Sequence, residues 1–339
     1  RFLEFVRDES AHYGRAQYLL GIVALRRGEP QAAVGHFGEV VTGISDDSTD
    51  EDAIRLRQLA RLAQARAYYG IGQYEKALEG FARVPRYSEF WFQALYEQAW
   101  AHYQERNFGE SLGALESVMS PYFAKRHVPE AYVIQGTSYF SYCQWDRVRR
   151  SVDRYKQIYE PMKGQLDAYL SSPRDAAQYL DDVIAGGRGQ YAEEIAREVR
   201  RVGWFTDFYF MFRHLEWQRD ALAEIREWRG SRFKEDIGQM IDDKVQNARA
   251  FAGAWVRQRL QFHADNMKNF QNQIDILDFE LTDAERQWLE AGREILKGRR
   301  AQLPRPEIPT DQWQHWSISK EYWKDELGYY QHTLESECN

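Results

Sequence analysis

Gln64-Ala65-x-Ala67-x-Tyr69 returns 34 residues later as Gln98-Ala99-x-Ala101-x-Tyr103, and this self-similarity decides how the chain is read. The correspondence runs on from Tyr74 to Phe108, Leu78 to Leu112 and Val84 to Val118. A fixed offset of this length means that one supersecondary unit recurs, with small residues in its first half and an aromatic after a turn. Such a unit cannot bury its apolar face alone, so neighbours must stack and the end units must be capped.

Working outward, four units can be laid out. The first has Leu20-Gly21, then Gly28, Ala33 and Phe37. The second has Ala65, Tyr68, Gly72, Ala77 and Phe81, closed by Pro85. The third has Ala99, Tyr103, Phe108 and Leu115, with Ser111 at a position otherwise held by Ala. The fourth departs furthest, with Gly136, Tyr139, Phe140, Trp145 and Val148. Antiparallel helices approach to about 8–9 Å only where one surface lacks bulk, which is the use of the small residues. Phe37, Phe81 and Phe140 are expected to fill the gaps between helices.

On these residues the chain resembles the tetratricopeptide repeat (TPR) family. The resemblance implies a TPR-like helical solenoid of about four repeats over residues 1–165. The rest of an all-α chain is expected to form a helical domain with a long coiled-coil-like helix over 166–303 and an aromatic C-terminal tail docked on the body over 304–339. In that family, residues two, five, nine and twelve of each unit face a groove that binds protein or peptide partners. Carried over, the register selects Arg15, Tyr18, Ile22 and Leu25, then Leu59, Leu62, Arg66 and Tyr69. It continues with Gln93, Tyr96, Trp100 and Tyr103, then Glu130, Val133, Thr137 and Phe140. The partner-binding candidates among them are Arg15, Tyr18, Arg66, Tyr69, Gln93, Tyr96, Trp100, Tyr103 and Thr137. The family's basic clamp for C-terminal carboxylates needs Lys and Asn or Arg there, and only Arg15 and Arg66 are basic. An amphipathic helix or an extended peptide anchored by Tyr and Trp fits such a groove. Equally, the protein's own later helices can cover it.

Between the first two units lies Ile44-Ser45-Asp46-Asp47-Ser48-Thr49-Asp50-Glu51-Asp52. It lacks the glycine and the alternating acids of a calcium loop, so it reads as a solvated linker that N-caps the next helix. After Pro161 the period vanishes. Ser171-Ser172-Pro173-Arg174-Asp175 reads as a helix start, and Gly186-Gly187-Arg188-Gly189 as an interhelical break without the lysine and strand of a phosphate loop.

From Phe233 residues recur in steps of three and four through Ile237, Ile241, Val245, Ala248, Ala252, Val256, Leu260, His263, Met267, Phe270, Ile274, Leu277 and Leu281. That seam predicts a long helix from near Lys234 to near Glu280, roughly 70 Å at 1.5 Å per residue, packed as a coiled coil or hairpin. Its expected partners are helices at 192–228 and 283–297, the second opened by Thr282-Asp283-Ala284-Glu285 as a cap. The tail then carries Trp313, Trp316, Tyr322, Trp323, Tyr329 and Tyr330, a density that suits docking on the body or on a partner.

Composition narrows the function classes. Aromatics reach 15% while Pro numbers 9, which describes a packed helical protein. The 45 basic and 52 acidic residues are interspersed, so no basic face for nucleic acid is expected. No run of 18 apolar residues exists, hence no spanning helix is expected, and Trp204–Phe212 reads as a buried helix. His263 sits on the apolar stripe with no second His three or four residues away, so neither a metal nor another cofactor is expected. No nucleophile elbow, HExxH, CxxC or dinucleotide loop is present, and no enzyme is expected. Cys143 and Cys338 are two ordinary thiols in a reducing compartment, and in an oxidising one a disulfide can pin the tail back.

Ser120-Pro121-Tyr122-Phe123 with Pro129-Glu130-Ala131-Tyr132, and the tail Glu321-Tyr322-Trp323-Lys324-Asp325-Glu326-Leu327-Gly328, look like bacterial TPR proteins of the cell envelope, some of them associated with gliding-motility machinery. The resemblance implies a non-catalytic interaction scaffold in a periplasmic or envelope assembly such as a motility machine. The alternative is a cytoplasmic TPR adaptor that carries a client peptide for a chaperone or regulator.

Overall fold

The computed structural model describes residues 2–123, 126–291, 308, 310–315 and 322–338. Among the described residues the regular structure is all helical, with twelve α-helices, two short 3-10 turns and no strand. Contacts divide the chain into two compact units. The first comprises Arg1–Ala124, Thr137–Gln144 and Leu296–Asn339, the second Lys125–Gly136 and Trp145–Ile295.

In the first unit α1 (Tyr13–Arg26), α2 (Pro30–Gly43), α3 (Glu51–Gly70), α4 (Tyr74–Ala82), α5 (Trp91–Gln104) and α6 (Phe108–Val118) pack each on the next in chain order. One turn recurs between paired helices. The amides of Glu29, Gln73, Asn107 and Gln144 donate to the carbonyls of Ala24, Tyr68, His102 and Tyr139 at 2.9, 3.0, 2.9 and 3.1 Å. Each is preceded by a residue of left-handed φ: Gly28 (76°), Gly72 (75°), Arg106 (62°) and Cys143 (56°). This six-to-one bond over a left-handed residue is the Schellman termination of a helix. The fourth case follows α7 (Glu130–Phe140).

The small residues permit close approach. A Cβ on Gly21 would lie 2.5 Å from the Phe37 ring, and one on Gly80 would lie 2.8 Å from Ala65 Cβ. Phe37 and Phe81 are fully buried, as expected. Phe140 is only half-buried, and its neighbour Tyr139 is the aromatic that turns inward in the fourth unit. Ser111 is buried and donates its hydroxyl to Ala99 O at 2.8 Å, which satisfies a group that Ala would not carry. In the acidic linker Asp50 N-caps α3 by accepting from the amides of Asp52 and Ala53. Asp46 ion-pairs with the buried Arg57 at 2.9 Å and with Arg61 at 3.0 Å, so the linker is anchored and not merely solvated.

In the second unit α8 (Trp145–Ser171) runs through Pro161 without a break, so residues 165 and 166 lie inside a helix. Then follow α9 (Ala176–Ile184), α10 (Glu193–Arg200), α11 (Gly203–Glu224) and α12 (Arg232–Glu290). The 59 residues of α12 exceed the expected span, because no helix begins at Thr282. Its hydroxyl bonds back to Asp278 O at 2.8 Å within α12, and residues 283–290 belong to the same helix. Residues 292–297 of the expected partner lie outside the described residues. The partners of α12 are α8 and α9 together with α10 and α11. Tyr155 OH donates to Met267 O at 3.1 Å, and Asp278 pairs with Lys156 (2.7 Å) and Arg149 (2.5 Å). In α11, Phe205, Phe208 and Phe212 are buried, but Tyr209, Phe210 and Met211 are exposed, so the helix is amphipathic and not wholly buried. Among the described residues no helix is long and apolar enough to cross a membrane.

Candidate functional site

The first unit brings part of the expected groove set together. Arg15 on α1 reaches Asp52 at the start of α3 (3.0 Å), and Arg66 on α3 grips Glu97 on α5 (Nε to Oε2 2.8 Å). Tyr18 lies near Arg66. Burial raises the pKa of the phenol, and the guanidinium pulls it the other way. Arg15 and Tyr18 on α1 and Arg66 on α3 thus line adjoining helices, and both arginines are already held by carboxylates, Asp52 of α3 and Glu97 of α5. The remaining aromatics pair locally. Tyr69 meets Tyr74 edge-on at 5.3 Å, Tyr96 stacks on Phe92 at 6.4 Å, and Trp100 meets Tyr103 at 5.7 Å. Tyr103 in turn meets Phe108 of α6 at 5.4 Å. Gln93 is exposed, and Thr137 is half-buried, its carbonyl accepting from the Ser141 hydroxyl. Leu62, selected by the same register, is fully buried in the core and faces no groove.

A second surface, not read from the sequence, is built on α6 and on the turn after α4. It carries residues 322–338. Arg86 Nη2 donates to three carbonyls, of Lys324 (3.2 Å), Asp325 (2.6 Å) and Leu327 (3.1 Å), and Tyr87 OH donates to Lys324 O at 2.9 Å. The Gly328 amide donates to Ser117 Oγ at 2.8 Å, and the His332 amide to Gly109 O at 3.0 Å. Gln144 Nε2 donates to Glu335 O, and the Glu337 amide to Tyr142 O, both at 2.9 Å. Leu327 is buried at 1% exposure. The Tyr322 hydroxyl and the Gln331 amide bond Glu116 and Glu110 of α6. Burial disfavours the Glu116 carboxylate, yet bonds from His332 and Tyr322 outweigh it and hold its pKa below the usual value.

The close approach explains two glycines. A Cβ at Gly113 would lie 1.7 Å from Tyr330 O, and one at Gly109 would lie 2.5 Å from His332 O. Gly109, Gly113 and Ser117 stand at helical spacing, a signal present in the sequence. The glycines cost helix stability, so they imply something pressed against that face. Cys143 and Cys338 are joined by a disulfide, with Cα atoms 5.0 Å apart. Trp313 and Trp323 are 43% and 53% exposed, and Trp316 lies outside the described residues. Main-chain bonds, the buried Leu327 and the Tyr322 hydroxyl hold this segment.

In the second unit His263 does have an imidazole neighbour, supplied by a distant stretch of chain. His127 stands 5.7 Å away between ring centroids, with Tyr159 at 5.4 Å from His127. Burial, with the His263 ring beside it, lowers the His127 pKa to about 3. Burial and Arg259 lower that of His263 to about 4. Both rings are neutral at pH 7. No group of three or more metal-binding side chains occurs among the described residues. Compared with protein-family models, with curated proteins and with solved structures, the chain matches none.

Proposed function

We propose that the protein is a non-catalytic interaction scaffold of TPR type, acting in a bacterial envelope assembly such as a motility machine. The recurrence of one Schellman turn at Gly28, Gly72, Arg106 and Cys143, in the register of the sequence repeat, carries this reading. Stacked helix pairs present a long face, and Arg15, Tyr18, Arg66 and Trp100 offer mixed aromatic and charged anchors for a protein or peptide. The Cys143–Cys338 disulfide supports an oxidising compartment.

Two measurements in the native host test it. Non-reduced peptide mapping is expected to recover the linked Cys143–Cys338 peptide from the envelope fraction. Cross-linking is expected to yield a partner that an Arg66→Ala/Trp100→Ala variant no longer captures. Free thiols in soluble cytoplasmic protein would replace the envelope scaffold by the cytoplasmic adaptor. Undiminished capture by the variant would remove the α1–α3–α5 face as the dock.

A further inference from the structure

We propose that the surface made by Arg86, Tyr87, Gln144 and the Gly109–Gly113–Ser117 track of α6 is a binding site for an extended peptide with Leu-Gly at its centre. The protein's own residues 322–338 are its resident ligand, latched by the Cys143–Cys338 disulfide.

Recognition here is of main chain. Arg86 alone takes three successive-turn carbonyls, and Ser117, Gly109, Gln144 and Tyr142 pair with backbone groups of residues 328, 332, 335 and 337. Main-chain bonds give affinity to an extended ligand of any sequence, and side-chain pockets supply the choice. Three positions of the segment are specified in this way. Tyr322 reaches Glu116, Leu327 is fully covered, and Gly328 occupies a place where φ is +89° and a Cβ would come within 3.1 Å of Leu95. The fitting partner is thus an extended segment of the form Tyr-x4-Leu-Gly.

The bound segment has the character of a ligand more than of a core element. Between residues 322 and 338 it forms no helix or strand, and Trp323 (53%) and Tyr329 (61%) remain largely exposed. A tethered ligand competes at an effective concentration on the order of millimolar, so a separate peptide gains entry only when the latch is open. A dithiol reductant opens it in balanced steps. Its thiolate attacks the exposed Cys338 Sγ, and Cys143 leaves as a thiolate. The second reductant thiol then resolves the mixed disulfide. Two electrons pass from the dithiol to the pair, two protons complete the two thiols, and the reductant ends as a disulfide.

Peptide recognition at α6 stands apart from the scaffold reading, because a dock on α1, α3 and α5 works with the track closed. The test uses the full chain carrying Leu327→Asp and Cys338→Ser, which weakens the resident ligand and removes the latch. A fluorescent synthetic peptide of residues 322–337 is the probe, read by anisotropy. It is expected to bind the opened chain at least tenfold more tightly than it binds oxidised wild-type protein. Gly113→Val or Arg86→Ala added to the opened chain, or Leu327→Asp in the peptide, is expected to weaken binding at least tenfold. Helix content by circular dichroism guards against a misfolded Gly113→Val, and Arg86→Ala keeps the test open in that event. Equal binding to the opened and oxidised chains, or binding indifferent to all three changes, overturns the site. A Cys143–Cys338 bridge found between two chains would also overturn it, in favour of exchange between copies.

Discussion

Arg106 and Cys143 take the left-handed backbone at turns where the first two units use glycine. A left-handed non-glycine residue costs about 1–2 kcal/mol, and glycine returns about 0.5–1 kcal/mol of that in unfolded-state entropy. Relief exceeds the entropy loss, so Arg106→Gly is expected to stabilise the protein by about 0.5–1 kcal/mol in denaturant melts. Cys143 escapes the same reasoning because its sulfur is bonded. The histidine pair yields a second prediction at this scale. Nδ1 and Nε2 of His127 and Nε2 of His263 are buried with no hydrogen-bond partner among the described residues, which favours the neutral rings. Their folded pKa values, about 3 and about 4, lie below the unfolded value of about 6.5, so the unfolded chain binds more protons between those limits. Their contribution is therefore level above about pH 6.5 and declines as pH falls towards 4, by about 2 kcal/mol per ring at pH 5. His263→Gln is expected to shrink the stability loss between pH 7 and pH 5 by about that amount. An unchanged pH slope would mean that the rings are already solvated.

At the scale of elements, α12 is decided by what packs on it more than by its own composition. Gly253 lies where α9 crosses, and a Cβ there would sit 1.7 Å from Ala176 O. Alanine favours a helix over glycine by about 1 kcal/mol, yet overlap with backbone costs about 1–3 kcal/mol or more. Gly253→Ala is thus expected to destabilise, whereas Gly164→Ala on α8, with open space around it, is expected to stabilise by about 0.5–1 kcal/mol. Paired thermal melts check the opposite signs, and a matching gain at both sites would contradict the close α9–α12 contact. The apolar seam made the length of α12 nearly legible, but not its end. Thr282-Asp283-Ala284-Glu285 has the letters of a cap, and within a formed helix the same threonine bonds back to residue 278. In α8, Pro161 sits inside the helix, although the repeat period vanishes after it.

At the scale of the molecule, the disulfide ties two residues separated by 195 positions. The chain-entropy treatment assigns such a closure about 5 kcal/mol of unfolded-state destabilisation. Reduction, or Cys338→Ser, is expected to lower the stability of the first unit by about 2–5 kcal/mol, measured by denaturant unfolding with and without dithiothreitol. A shift below about 0.5 kcal/mol would indicate that the reduced chain keeps its C-terminal segment closed by other contacts. The all-α class, the turns at Gly28 and Gly72 and the small residues at Gly21, Ala65 and Ala99 were legible in the sequence alone. They rest on contacts between residues a few positions apart, or on a repeat that states the same contact more than once. Tertiary structure alone decided that Arg66 answers Glu97, that His127 meets His263, and that the Leu327-Gly328 segment occupies α6. Those pairings join stretches tens to hundreds of residues apart, occur once each, and leave no period behind. Even the Gly109-Gly113-Ser117 track announces only that something lies close, since a missing side chain records the space and not its occupant.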